Sequence, residues 1–207
     1  MRHQKTVTFN PNRHIFRSPK FRSVVNDAIQ FFCETPVYPL PPTNRFIGAG
    51  VYGLYYLGDC GLYARLADAN KQALEQPIYI GKAVPPGWRT ARTQETQTTV
   101  LYRRLREHAR SIEQVGNLQT EDFNCRFTIL THIETDLIGP VEAELIRRYQ
   151  PLWNCVIDGF GNHDPGSGRY NQAPSEWDVL HPGRPWAERL TGVLPSLAIV
   201  TEKVGDF

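Results

Sequence analysis

The sequence predicts an α+β protein, and three observations carry that expectation. Two short runs rich in aromatic and branched residues, Gly50–Leu57 and Pro77–Ala83, are each bounded by glycine or proline and read as strands. Two further stretches, Val100–Val115 and Val141–Tyr149, read as helices: the first carries an apolar stripe, and the second opens on a proline. A third strand-like run, Phe123–Leu130, falls between those helices.

Composition narrows the class. A chain of 207 residues with 41% hydrophobic and 11% aromatic residues can bury one sizeable core, so it is read as one compact domain with extensions. No apolar run reaches the length of a membrane span, and the N-terminus has no apolar signal core, so a cytoplasmic protein without membrane contact is expected. Cys33, Cys60, Cys125 and Cys155 stand far apart with no Cys-x-x-Cys pair, which points to reduced thiols and not to a zinc site. The formal net charge is only +2, yet the charges are segregated. Residues 1–22 carry Arg2, Lys5, Arg13, Arg17, Lys20 and Arg22 with no acid, and residues 84–110 carry six arginines against Glu95 and Glu107. Arginine outnumbers lysine 18 to 5, a bias that suits bidentate contacts to phosphate or guanine, although a charge run is more often a solvated face.

In chain order, residues 1–22 form a basic arm and Phe21–Cys33 a helix that the Pro36–Pro42 run ends. The first motif strand follows, then an Ala/Leu-rich helical piece within Asp59–Gln76, then the second motif strand. Val84–Thr99 is a polar loop containing Pro85-Pro86-Gly87, Arg89 and Arg92, and a loop of that length in a small domain is usually functional or mobile. In the helix after it, Leu101, Leu105, Ile112 and Val115 form the apolar stripe, His108 shares that face, and Arg104 flanks it one turn earlier. After the third strand, Pro140 opens the Val141–Tyr149 helix and Pro151 closes it. Residues 158–190 are dense in Gly, Pro, His, Trp and Arg and read as ordered irregular structure wrapped on the core.

Glycine within a strand usually marks close approach of another backbone or a ligand, so Tyr52 and Tyr79, each beside a glycine, could form the floor of a site. Gly50-Val51-Tyr52 and Tyr79-Ile80-Gly81 resemble the paired tripeptides of the GIY-YIG nuclease family. The resemblance continues in register through Arg104 and His108, through Glu142-Ala143-Glu144-Leu145-Ile146, and through Pro151-Leu152-Trp153-Asn154. It implies a core over residues 46–156 built on a small, mainly antiparallel three-stranded sheet flanked by helices. Residues 1–45 are then an N-terminal arm and helix, and residues 157–207 an extension serving DNA recognition or dimer contacts.

The resemblance also assigns roles. Phosphodiester hydrolysis needs charge neutralised on the phosphate, a deprotonated water and help for the leaving oxygen. Glu142 is expected to hold one divalent cation per active site, Mg²⁺ or Mn²⁺, and Arg104 to hold the scissile phosphate. Tyr52 would orient or deprotonate the attacking water, helped by a nearby cation such as Lys82 or by His108 as the base that takes up its proton, because a free tyrosine titrates near pH ~10. Tyr79 would position water or phosphate, and Asn154 would fix loop geometry or a ligand near the metal. Glu144 lies round the helix and is the weaker candidate. Stretches after Lys82 and after Asn154 are similar to the family's type II restriction enzymes that cut the palindrome CCGCGG. That similarity implies double-stranded DNA as substrate, a homodimer, and a methyltransferase acting on the same site. Arg89, Arg92, Arg103, His163, Arg169 and Asn171 are candidate DNA contacts by residue type. A structure-specific nicking nuclease and a non-catalytic DNA-binding protein are the alternatives.

Overall fold

Ser18 accepts a hydrogen bond from Phe21 N–H and Pro19 opens the first turn, so the chain enters helix α1 (Pro19–Glu34) on a capped N-terminus. The computed structural model describes residues 9–90 and 97–207, Arg89 through its backbone alone. After α1 come β1 (Val37–Pro39), β2 (Gly50–Tyr56), α2 (Ala64–Gln72), β3 (Tyr79–Ala83), α3 (Val100–Glu113) and β4 (Phe123–Ile129). The chain then forms α4 (Ile138–Tyr149), α5 (Leu152–Cys155), α6 (Glu176–Leu180) and α7 (Leu197–Gly205).

The sheet has four strands, in the order β1-β4-β2-β3, and every pair is antiparallel. This corrects the expectation of three. The proline-rich stretch that ends α1 does not leave the sheet; Val37–Pro39 pairs with Asn124–Arg126. Proline is tolerated there because β1 is an edge strand, where one side needs no donor. The end of the chain, where no strand or helix is predicted, forms α7, whose Val200 and Val204 are buried in the main core.

β2 is the central element and is buried along its whole length, which requires cover on both faces. Tyr52, Leu54 and Tyr56 face a core shared with Leu101, Leu105 and Ile112 of α3 and with Trp153, Phe160 and Trp177. Val51 faces the other core, with Val25, Ile29 and Phe32 of α1 and Val141 and Leu145 of α4. The alternation of a two-residue strand period thus sorts the tyrosines toward α3 and leaves α4 on the opposite side.

A buried polar chain ties the region after α5 to the core. Trp153 Nε1 donates to Tyr63 Oη at 3.1 Å, Tyr63 Oη meets His181 Nε2 at 2.5 Å, and His181 Nδ1 meets Asn117 Oδ1 at 2.9 Å. With His181 neutral and its proton on Nδ1, each donor in this run finds an acceptor. Burial, with Arg184 second, pushes the His181 pKa down to about 3. Unfolded, the same ring titrates near ~6.5, so the unfolded chain binds a proton that the folded chain refuses. Stability is therefore predicted to fall as pH drops from about 6.5 toward 3, by up to about 1.4 kcal/mol per pH unit for this one residue. Urea unfolding measured from pH 7 to pH 4 should show a shallower acid slope in His181→Gln than in the native protein.

Candidate active site

Tyr52 sits opposite Gly81 in the β2–β3 register. A Cβ at Gly81 would come within 2.4 Å of Tyr52 Oη, so the phenol can cross β3 only where there is no side chain. Gly50 is needed for a second reason: its φ is +158° and a Cβ there would lie 1.9 Å from Thr128 O. The two glycines beside the motif tyrosines thus serve close approach, as their strand context suggests.

Tyr52 Oη lies 2.6 Å from His108 Nε2. Tyr52 is 0% and His108 2% exposed, so the pair has essentially no contact with solvent. Phe160 stacks on the imidazole at 4.6 Å and 16°, and Tyr79 meets its edge at 5.2 Å. Burial, helped by the neighbouring Tyr79, holds the Tyr52 pKa well above its usual value; burial, helped by Arg104, His163 and Arg184, holds that of His108 well below. Both shifts favour the neutral forms. The phenol keeps its proton and donates to Nε2, which places the imidazole proton on Nδ1.

Arg104 flanks this pair on α3 and is held from three directions. Its NH1 donates to Glu107 Oε2 at 3.2 Å and also meets His163 Nε2, and its NH2 donates to Gly161 O at 3.0 Å. The His163 pKa is lowered, by burial first and by the Arg104 charge second, as suits an acceptor facing a guanidinium. His163 was expected among DNA contacts; the structure puts it on Arg104. Tyr79 Oη points at the same segment, since a Cβ on Gly161 would lie 2.7 Å from it.

Glu142 and Lys82 approach from the α4 face. Lys82 Nζ donates to Glu142 Oε2 at 2.6 Å, so Lys82 is committed to the carboxylate and His108, not Lys82, is the partner of Tyr52. Glu142 is close enough across the β3 edge to raise the pKa of both Tyr52 and Tyr79. Among the described residues no group of three His, Cys, Asp or Glu could hold a metal ion. One carboxylate beside open solvent fits an ion such as Mg²⁺, which keeps most of its waters and is completed by phosphate oxygens. It does not fit zinc, which needs three or four protein ligands from Cys, His, Asp or Glu. Glu144, by contrast, pairs with Arg147 and Arg148 away from the site.

Asn154 acts on the backbone. Its Oδ1 accepts from Ile80 N–H at 2.8 Å and its Nδ2 donates to Ile80 O at 2.9 Å, so the amide closes the free edge of β3 like a further strand. Through Ile80 it bears on the strand between Tyr79 and Gly81, a geometry-fixing contact of the first of the two kinds expected for it. Of the remaining candidates, Arg103 is exposed on α3, Asn171 is exposed, and Arg169 has its Nε tied to Pro165 O at 3.0 Å. The Arg89 side chain and Arg92 lie outside the described residues.

The family model for the Eco29kI GIY-YIG domain matches residues 44–207. The chain belongs to that family. It is therefore a nuclease of the restriction type, acting on DNA, and restriction nucleases of this kind generally need a divalent metal ion. Among curated proteins none matches the chain. The Eco29kI GIY-YIG match runs to Phe207, so Phe160, Gly161 and His163 lie inside the domain, beyond the Asn154 at which the motif series ends. The only sequence signal for them was the Gly159-Phe160-Gly161-Asn162-His163 run.

Gly81→Ala is predicted to destabilise the protein by about 1–3 kcal/mol, the usual range for overpacking a filled site, because the new methyl meets the Tyr52 ring and not a flexible tip. Denaturant midpoints of the two proteins check this, with Gly61→Ala, where nothing lies within 4 Å, as the neutral comparison.

Proposed function

We propose that the chain is a type II restriction endonuclease that hydrolyses both strands of a palindromic, GC-rich DNA site such as CCGCGG, as a homodimer with one Mg²⁺ per active site. The observation that carries this reading is the meeting, at the edge of β3, of a Tyr52–His108 pair, a positioned Arg104 and the single carboxylate Glu142.

The geometry supports the following division of labour. Arg104 binds the scissile phosphate and offsets its developing charge, exchanging Gly161 O and His163 for phosphate oxygens. That exchange opens the space beside Tyr52, which otherwise has no accessible surface. Water then gives its proton to the Tyr52 oxygen as Tyr52 gives its own to His108 Nε2, which stands 2.6 Å away; substrate and water entering the site relieve the burial that makes the imidazole a weak base at rest. Tyr79, half-buried at the mouth, holds the water or phosphate by its hydroxyl. Glu142 would hold the Mg²⁺, which when bound neutralises phosphate charge and eases departure of the leaving oxygen.

The solvent side of α3 supplies a path for the flanking DNA backbone. Arg45, Arg103, Arg106 and Arg110, with Tyr102, line a groove of about 320 Å³. No acid among the described residues pairs with any of these four arginines, and Glu107 in the same groove is committed to Arg104. A palindromic site implies two-fold symmetry, with one active site per strand. A methyltransferase that modifies the same site is the expected companion of such an enzyme.

Digestion of a GC-rich plasmid with Mg²⁺ is expected to give discrete fragments, abolished by chelator and by Glu142→Gln. Nicks alone would favour a structure-specific nuclease, and binding without cleavage of DNA containing CCGCGG would leave a DNA-binding protein. For the groove, the slope of log K against log salt should fall by about 0.9 for each arginine removed in Arg106→Ala and Arg110→Ala. Arg65→Ala, on α2 away from the groove, should leave that slope unchanged.

A further inference from the structure

Arg184 is 0% exposed and lies beyond Asn154, at which the motif series ends. Its guanidinium lies between two indoles, 4.5 Å from the Trp177 ring and 4.6 Å from the Trp186 ring. Its Nε donates to Asp178 Oδ1 at 2.6 Å. The other two nitrogens reach back to one short segment: NH2 donates to Gly159 O at 3.0 Å, and NH1 to Phe160 O at 3.2 Å and Asn162 O at 3.4 Å. Ser175 Oγ donates to the second Asp178 oxygen at 2.6 Å, so the buried carboxylate is satisfied as well.

Burying an ion pair sacrifices hydration that the pair's attraction offsets only in part, and apolar replacements are often as stable. What a planar guanidinium adds is direction: it fixes several carbonyls in one geometry, which neither an apolar side chain nor an ammonium can do. The carbonyls it fixes belong to residues 159–162, and that segment carries the groups facing the site. Phe160 covers His108, Gly161 O receives Arg104, and His163 meets the same guanidinium. Around His108 stand Tyr52 from β2, Tyr79 from β3, Arg104 from its own helix, and Phe160 and His163 from this segment, and the Arg184 charge also acts on it, which lysine keeps and Trp186→Leu leaves in place.

We infer that Arg184 is a positioning residue of the active site: it pins residues 159–162 so that Arg104 is preset for the phosphate and the Tyr52–His108 pair stays dry until the phosphate binds. The inference rests on the nuclease reading for its effect on rate, but not for its effect on His108. Water admitted beside the imidazole would remove the burial that now keeps it neutral.

The test compares Arg184→Lys and Trp186→Leu with the native protein, by single-turnover cleavage at saturating DNA and by NMR titration of the His108 ring without DNA. Lysine keeps the charge and loses the fork; the Trp186 change loosens the clamp from its half-buried side. A rate loss of about 100-fold, the scale of an ångström-sized misplacement, is expected for Arg184→Lys with DNA affinity retained. In both variants the His108 titration should move up toward the ordinary histidine range. Folded variants with a native His108 titration would overturn the inference, whether their rates were native or slow, since Arg184 would then serve stability alone. Should Arg184→Lys fail to fold, Trp186→Leu decides the matter. Should the native protein fail to cut DNA, the nuclease reading falls while the His108 titration still tests the clamp.

Discussion

One hydrogen bond between two buried neutral groups, Tyr52 and His108, sets the terms for the rest of this molecule. It joins the central strand to helix α3 at 2.6 Å with almost no solvent contact. A phenol and an imidazole can share a proton position there only if both remain uncharged at rest, and burial enforces that. The surroundings are arranged accordingly. Gly81 leaves room for the phenol and Phe160 closes over the imidazole, while Arg104, whose charge acts on both Tyr52 and Tyr79, is held by Glu107 and a backbone carbonyl.

The site straddles an edge strand, which explains how residues from opposite faces of a sheet can act together. Tyr52, His108 and Arg104 lie on the α3 side, whereas Glu142 and Lys82 meet on the α4 side. Only β3 separates them, and its free edge is closed by the Asn154 amide, which bonds both polar groups of Ile80. An open edge would let Tyr79 and Gly81 shift along the strand and would invite pairing with another chain. The final fifty residues complete the arrangement. They deliver the Phe160–His163 segment to the site, held by buried Arg184 and anchored through the Tyr63–His181–Asn117 chain.

Much of this was legible in the sequence because it rests on local pattern. The β2 and β3 tyrosine–glycine runs, the α3 stripe with His108 on it, and the motif order through Asn154 follow from spacing, and the placement of Arg104 beside His108 follows from one helical turn. Other features depend on contacts distant in sequence. β1 is three residues long and carries a proline, so its period is too short to register; only pairing with β4 makes it a strand. The choice of His108 over Lys82 as partner of Tyr52 turns on Lys82 lying on the opposite face of β3 from Tyr79, where it meets Glu142, sixty residues away. His163 reads by type as a DNA contact, and its place on Arg104 depends on a loop whose shape Arg184 dictates. Arg184 itself looks like any surface arginine until two indoles and three carbonyls close round it.

The central claim is that Tyr52 and His108 act as one unit in deprotonating water. A double-mutant cycle on the single-turnover rate, using Tyr52→Phe, His108→Ala and the double variant at saturating DNA and Mg²⁺, tests it most directly. If the pair is one proton relay, breaking either member removes it, and the double variant should be about as slow as the slower single one. Rate losses that multiply, with each residue contributing its full effect in the absence of the other, would contradict the account.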